Sequence, residues 1–120
     1  MLNFLYVGLG GFAGAALRYG VSVLADALAW SGHWGTLAVN VLGSLAIGFC
    51  APCFENYAHP GRLLLVVGVL GGFTTFSSFS LDTLALFQNR GFGPAALNVL
   101  LNVGVCLVAV WAGFKLQKMC

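Results

Sequence analysis

The chain has 120 residues, of which 60% are hydrophobic and only 7% are charged. This composition excludes an ordinary soluble domain, in which about a quarter of the residues are charged. The formal net charge of +2 is also too small for a nucleic-acid-binding surface. We therefore expect a small integral membrane protein that interacts with the lipid bilayer along most of its length.

Four apolar segments are each long enough to cross a hydrocarbon core of about 30 Å, which takes roughly 20 residues. We predict helices at about 2–25, 35–54, 63–87 and 93–114. Together they form a single all-α transmembrane domain over residues 1–120, with short connections that carry turn signals such as Pro60-Gly61. The first segment lacks a basic region before it, so we expect a membrane helix rather than a cleavable signal.

Arg18 is the only charged residue clearly inside a predicted span. A charge within the membrane is costly and often marks an ion or substrate pathway. The alternative is that its long side chain extends to the membrane surface and serves no pathway. The sequence alone leaves both interpretations open.

Amide side chains lie inside the second and fourth predicted helices. Asn40 is well inside helix 2, where an unpaired amide would be costly, so it must face protein or water. Asn98 and Asn102 follow each other at i, i+4 and share one face of helix 4. We expect them either to be hydrogen-bond partners of Asn40 or to line a second polar track.

Small residues recur at i, i+4 in every predicted helix and indicate faces on which helices pack closely. These pairs are Gly10 and Gly14, Ser44 and Gly48, Gly68 and Gly72, and Ala109 and Gly113. The pattern fits packing within one subunit or between subunits. Because one small bundle can hardly supply partners for its buried amides, we predict an oligomer.

Basic residues are distributed almost evenly between the two ends of the predicted bundle. Arg62, Lys115 and Lys118 lie on the amino-terminal side, and Arg90 and Arg18 lie toward the opposite side. Lysine and arginine counts set the orientation of a membrane protein under the positive-inside rule. This near balance is compatible with insertion in both orientations.

The third predicted helix contains the most informative segment of the chain. Residues 71–80 read GGFTTFSSFS, a glycine pair followed by hydroxyl side chains interleaved with phenylalanines. A lipid-facing helix gains nothing from this composition, whereas a helix broken within the membrane can offer carbonyls and hydroxyls as ligands. We predict the break at Gly71-Gly72, near midspan, because glycine sustains a helix less well than alanine does.

The side chains after this glycine pair favour an anion. Phe73, Phe76 and Phe79 recur every third residue and are predicted to share one helix face. The edge of a phenyl ring carries the positive end of its quadrupole, so it can weakly stabilise a small anion. Hydroxyls that can replace the water around such an anion belong to Thr75, Ser77 and Ser78.

The acidic residues support the same interpretation. Asp26, Glu55 and Asp82 are all expected toward the ends of spans, so no carboxylate is predicted at midspan. An interior without a carboxylate is unsuited to carrying protons or cationic drugs.

The cysteines contribute little to the predicted function. Cys50 and Cys53 form a C-x-x-C pair, but no thioredoxin-like βαβ pattern surrounds them. We expect Cys106 to pack in the core and Cys120 to be a terminal thiol. No disulfide or cysteine-bound metal is predicted.

Three segments together resemble the Fluc (CrcB) family of fluoride channels. They are GGFAGAALRY at residues 10–19, GTLAVN at 35–40 and GGFTTFSSFS at 71–80. Their order and spacing match the family across the first three helices, and the third segment is highly specific. The resemblance implies an antiparallel dual-topology homodimer in the plasma (inner) membrane, with two pores that passively export fluoride and relieve its toxicity.

The resemblance also implies roles for individual residues. The backbone carbonyls of Gly71 and Thr74 in both subunits would hold a central structural Na⁺ that is not transported. Phe76 and Phe79 would be the pore phenylalanines, and Asn40 the pore amide. The other fluoride-pathway residues implied are Arg18, near a vestibule, and Thr75, Ser77 and Ser78.

Two other functions are compatible with a small four-helix membrane protein. A multidrug/proton exporter would need a membrane-buried carboxylate, and helix 1 has Arg18 instead. A non-transporting subunit would lend its helices to a larger complex. One residue departs from the family's pattern: Asp82 stands where many relatives have glutamate, and it is left out of the predicted site.

Overall fold

The structure is a computed structural model that describes residues 1–119, and every regular element in this range is helical. Four helices are long and apolar enough to cross a membrane: Leu2–Ala27, Gly32–Cys53, Arg62–Arg90 and Phe92–Met119. The prediction of an all-helical protein with four membrane-spanning helices is confirmed. Cys120, expected to be a terminal thiol, lies outside the described residues.

We number the helices in chain order. They are α1 (Leu2–Ala27), α2 (Gly32–Cys50, followed by a 3₁₀ turn over Ala51–Cys53), α3 (62–73), α4 (Phe76–Arg90) and α5 (Phe92–Met119). Most of these helices run a few residues beyond the predicted ends. The predictions followed hydropathy, whereas the observed ends follow backbone hydrogen bonding, which continues into the less apolar residues beside each apolar run.

The third span is interrupted between α3 and α4. Thr74 and Thr75 have an extended backbone, with φ and ψ of -73° and 154° at Thr74 and -149° and 116° at Thr75. Gly71 and Gly72, where the sequence pattern predicted the break, remain helical. The position differs because a side chain of α2 holds Thr75, so glycine's weak helix propensity does not decide it.

Helix α1 packs along α3 through glycines on both helices. A Cβ added to Gly10 would collide with the carbonyl oxygen of Leu64, and one added to Gly14 would collide with that of Val69. In return, a Cβ on Gly68 would lie 2.7 Å from the Cα of Gly10. The small-residue pairs of these two helices therefore serve packing within one chain.

Helix α2 packs against the second half of α5 in the same way. A Cβ on Gly48 would collide with the carbonyl of Val110, and one on Gly113 would collide with that of Leu45. Helix α4 packs on the first part of α5, Phe92–Leu100. These contacts place α2, α4 and α5 around the interruption of the third span.

Candidate functional site

Asn40 of α2 holds the interrupted segment. Its Oδ1 accepts a hydrogen bond from the backbone N–H of Thr75 at 2.8 Å, and its Nδ2 donates to the Thr75 carbonyl at 3.1 Å. In a continuous α-helix, that N–H would donate to the carbonyl of Gly71 instead. A side chain from another helix thus satisfies both backbone groups of Thr75, which stabilises its extended conformation.

Thr75 also caps the start of α4. Its hydroxyl accepts a hydrogen bond from the Ser78 N–H at 3.1 Å, as an N-cap side chain does. The same hydroxyl donates to Ser78 Oγ at 3.1 Å and lies 3.2 Å from Ser77 Oγ. The three predicted pathway hydroxyls therefore form one cluster at the positive end of the α4 dipole.

A cavity of about 320 Å³ lies beside this cluster. The predicted site residues that line it are Asn40, Thr74, Thr75, Phe76 and Phe79. The other lining residues are Ser44, Ile47, Asn102, Val103 and Cys106. Among the described residues its walls therefore offer amides, hydroxyls, a thiol and phenyl rings, and no carboxylate lines it. We refer to it below as the α4 cavity.

Two phenylalanines of α4 are in contact at the edge of the cavity. The ring centroids of Phe76 and Phe79 are 5.2 Å apart with an interplanar angle of 63°, an edge-to-face arrangement. Phe79 is 7% exposed and Phe76 is 76% exposed. Phe73 precedes the extended segment, so the prediction that all three phenylalanines share one helix face is wrong.

The remaining side chains of the predicted pathway do not line the α4 cavity. Arg18 is half-buried on α1, and the Ser22 hydroxyl donates to its carbonyl at 3.2 Å. Ser77 is exposed and contributes through its contact with Thr75. Ser78 lines a neighbouring cavity of about 240 Å³, between α1, α2 and α4.

The two residues predicted to offer carbonyls to Na⁺ lie at the end of α3 and just beyond it. Gly71 is exposed, and a Cβ added there would meet only the carbonyl oxygen of Val66, at 3.9 Å. Thr74 is half-buried, and its hydroxyl donates to the Leu70 carbonyl at 3.0 Å. The Thr74 N–H also donates to the Leu70 carbonyl at 3.0 Å, so the backbone carbonyl of Thr74 is the group left for a ligand.

A network of amides extends from Asn40 into α5. Its Nδ2 donates to Asn102 Oδ1 at 3.0 Å, and Asn102 Nδ2 donates to Asn98 Oδ1 at 3.1 Å. Of the two alternatives left open by the sequence, a partnership with Asn40 is therefore the one observed. These amides find their partners inside one chain, so the argument that they require a second subunit is wrong, although the oligomer itself stays a prediction.

Three residues of this region with a hydroxyl or thiol group were not predicted. Ser44 and Cys106 line the α4 cavity, and the Thr83 hydroxyl accepts a hydrogen bond from Asn98 Nδ2 at 2.9 Å. Cys106 continues the i, i+4 series of Asn98 and Asn102, so this spacing could have revealed it. Thr83 and Ser44 are visible only once the helices are placed against each other.

Comparison with known proteins agrees with this architecture. The family profile described as "CrcB-like protein, Camphor Resistance (CrcB)" matches residues 5–114. The chain belongs to the CrcB family. This confirms the resemblance noted from its sequence segments, and every residue that lines the α4 cavity falls within the matched range.

Three similar proteins in this family share one name. A protein of Elusimicrobium minutum (strain Pei191), named "Fluoride-specific ion channel FluC", is 55% identical over 119 residues, 97% of this chain and 94% of that protein. Proteins with the same name from Alteromonas mediterranea and Agrobacterium fabrum are each 45% identical, over 94% and 98% of their own lengths and 96% and 98% of this chain. These CrcB-family relatives are named as ion channels, a non-enzymatic function, and this family member is a multi-pass membrane protein.

Asp82 has an unusual environment for a residue of this CrcB-family chain. It lies near the middle of α4, in the second half of the third span Arg62–Arg90, and the helix continues eight residues beyond it. Its Oδ2 is buried and has no hydrogen-bond partner within residues 1–119. It lines two smaller cavities, of about 200 and 240 Å³, and does not line the α4 cavity.

Proposed function

We propose that this chain forms a fluoride-selective ion channel in the plasma (inner) membrane. Passive flow of fluoride out of the cytoplasm lowers its concentration there and relieves its toxicity. The relatives named as fluoride-specific channels, up to 55% identical, support this function. The observation that carries the proposal is the α4 cavity, whose described walls combine amides, hydroxyls and phenyl rings without a carboxylate.

A fluoride ion that leaves water needs hydrogen-bond donors and positive potential in its place. The first turn of α4 supplies backbone N–H groups and the positive end of a helix dipole. The hydroxyls of Thr75 and Ser44 line the cavity and can rotate to donate hydrogen bonds to the ion, and the Phe76–Phe79 pair can present a ring edge. Several weak contacts of this kind let an ion enter the site and also leave it.

We assign the missing wall of this pathway to a second copy of the chain in the opposite orientation. Phe76 lines the α4 cavity yet is 76% exposed in the single chain, so one chain does not enclose the ion. The near-even distribution of basic residues is compatible with insertion in both orientations. An antiparallel homodimer would contain two α4 cavities and therefore two pores.

A structural Na⁺ at the dimer centre belongs to the same proposal. The Gly71 carbonyl has lost its helical donor, because the Thr75 N–H is bonded to Asn40. Carbonyl oxygens without a carboxylate suit a monovalent cation, since a divalent ion normally recruits carboxylates. The carbonyls of Gly71 and Thr74 would hold the ion, which joins the two chains and is not transported.

Anion efflux from liposomes that contain only the purified protein tests the proposed function. We expect passive fluoride flux that far exceeds chloride flux and does not depend on a proton gradient, with protein-free liposomes as the control. Equal flux of both anions would contradict selectivity. Flux of cationic drugs driven by protons would indicate a multidrug exporter, and the absence of any flux would indicate a non-transporting subunit.

A further inference from the structure

A network of hydrogen bonds runs from Asn40 of α2 to α5 and from there to α4. After Asn102 and Asn98, the next link is the bond from Asn98 Nδ2 to Thr83 Oγ1 at 2.9 Å. The Thr83 hydroxyl then donates to the Phe79 carbonyl at 2.7 Å. The network therefore starts beside the extended segment and ends on the helix that follows it, with α5 as the bridge.

Backbone groups fix the direction of this network at both ends. The Thr75 N–H can only donate, so Asn40 must turn Oδ1 toward it and Nδ2 toward α5. The Phe79 carbonyl can only accept, so Thr83 gives its single proton to it and offers lone pairs to the neighbouring amide. Each amide between these two ends has one orientation that satisfies both of its neighbours. A flipped amide would place donor against donor and acceptor against acceptor.

The two amides of α5 cannot exchange a lost partner for water. Asn98 is 4% exposed and Asn102 is 6% exposed. A broken link would leave a buried polar group unpaired, which is costly in a medium of low dielectric constant. Asn102 lies in the π-helical turn Leu101–Val105, where its Nδ2 also reaches the Asn98 carbonyl at 3.2 Å.

Asn40 has no free N–H to offer an ion, because its Nδ2 donates to both the Thr75 carbonyl and Asn102. Its contribution to the α4 cavity is to hold the extended segment in place. We infer that the side chains beyond it, Thr83, Asn98 and Asn102, are positioning residues for the proposed fluoride pathway. The Thr75 backbone sets the orientation of the Asn40 amide, and these residues hold its Nδ2 side against α5, which keeps the start of α4 at the cavity. This inference rests on the proposed function.

Substitutions of Thr83 separate hydrogen bonding from packing. Valine keeps the shape of threonine without its hydroxyl, whereas serine keeps the hydroxyl without the methyl group. In liposome efflux we expect Thr83→Val to lower fluoride flux about tenfold, the ratio that matches one hydrogen bond of roughly 1.4 kcal/mol. Thr83→Ser should restore flux to within about twofold of wild type. Ser22→Ala is the control, because it removes an exposed hydroxyl–carbonyl bond on α1 outside the network.

Asn98→Leu tests the next link with a side chain of the same heavy-atom count and branching. We expect at least a tenfold loss of fluoride flux, because leucine removes the hydrogen bonds to both Thr83 and Asn102, and one such bond corresponds to about tenfold. Adding Thr83→Val should lower flux no further, because Thr83 acts through Asn98. Wild-type flux in Asn98→Leu, or losses that multiply in the double variant, would overturn the inference. So would a Thr83→Val protein that conducts as well as Thr83→Ser.

A second measurement reports on Asn40 without any ion flux. The side-chain amide ¹H–¹⁵N signals of Asn40 in detergent-solubilised protein should shift in Thr83→Val and stay in place in Thr83→Ser. Unchanged Asn40 signals in Thr83→Val would overturn the inference. If the wild-type protein carries no fluoride, the proposed function fails, while these signals still decide whether the network positions Asn40.

Discussion

At the scale of single residues, two phenylalanines of α4 share a cavity but have different surroundings. Phe79 is 7% exposed and packs inside the chain, whereas Phe76 is 76% exposed. Their edge-to-face contact at 5.2 Å orients ring edges that an aliphatic side chain lacks. Loss of the ring should therefore affect conduction at both positions, but stability at one of them.

Phe76→Ile should lower fluoride flux strongly and change the free energy of unfolding of the single chain by no more than about 0.5 kcal/mol. Phe79→Ile should lower flux too and also destabilise the protein by about 1–2 kcal/mol, because a buried ring is replaced by a smaller, branched side chain. Liposome efflux and unfolding in detergent measure the two quantities. Phe12→Ile, at an exposed position on α1 away from the cavity, is the control. Wild-type flux in both α4 variants would show that Phe76 and Phe79 contribute to packing and not to conduction.

The residues around the α4 cavity were predictable to the extent that their chemistry is unusual for a membrane helix. Asn40, Thr75 and Phe76 stand out in an apolar span for this reason, and the structure brings them together. Thr83 and Ser44 are ordinary residues by composition. Their importance depends on which helix faces them, and a single sequence does not contain that information.

At the scale of elements, hydropathy predicted the four spans because membrane thickness imposes both length and composition on them. The interior of the third span was harder to predict. The glycine pair identified the region, but the extended residues are Thr74 and Thr75, fixed by an amide 35 residues away in sequence. Local propensity cannot reveal a contact of this range.

The glycines of α1 and α3 should differ in what they stabilise. Gly14→Ala should lower the free energy of unfolding by about 1–3 kcal/mol, because the alanine Cβ would collide with the Val69 carbonyl. Gly71→Val should leave the single-chain fold intact, since the nearest atom to a Cβ there is 3.9 Å away. It should instead weaken the proposed dimer by crowding the carbonyl that would bind Na⁺.

Circular dichroism on heating measures the fold of these variants, and cross-linking in membranes measures their assembly. Gly8→Ala is a matched control on α1, because no atom lies within 4 Å of a Cβ added there. A Gly71→Val protein that unfolds as readily as Gly14→Ala would contradict the distinction between the two sites.

At the scale of the whole molecule, the proposed Na⁺ should stabilise the dimer without being carried through it. Full replacement of Na⁺ by a large organic cation should shift the protein toward single chains and lower fluoride flux. A ligand at 100 times its dissociation constant stabilises its bound state by about 2.7 kcal/mol. Thr74→Ser, which keeps the backbone carbonyl, should change neither quantity much. A dimer that is equally stable and active without Na⁺ would exclude this role for the ion.

The internal pairing of the polar groups bears on how such a protein is made. The amides of Asn40, Asn98 and Asn102 have their hydrogen-bond partners within one chain. A newly made copy can therefore fold in the bilayer before it contacts a second copy. Each copy then keeps the orientation that it received during translocation. If a working unit needs one copy of each orientation, the scarcer orientation limits how many units the cell obtains. A single added lysine near one end would bias insertion toward one orientation. Copies in the more common orientation would then lack a partner, and activity would fall although every copy had folded correctly.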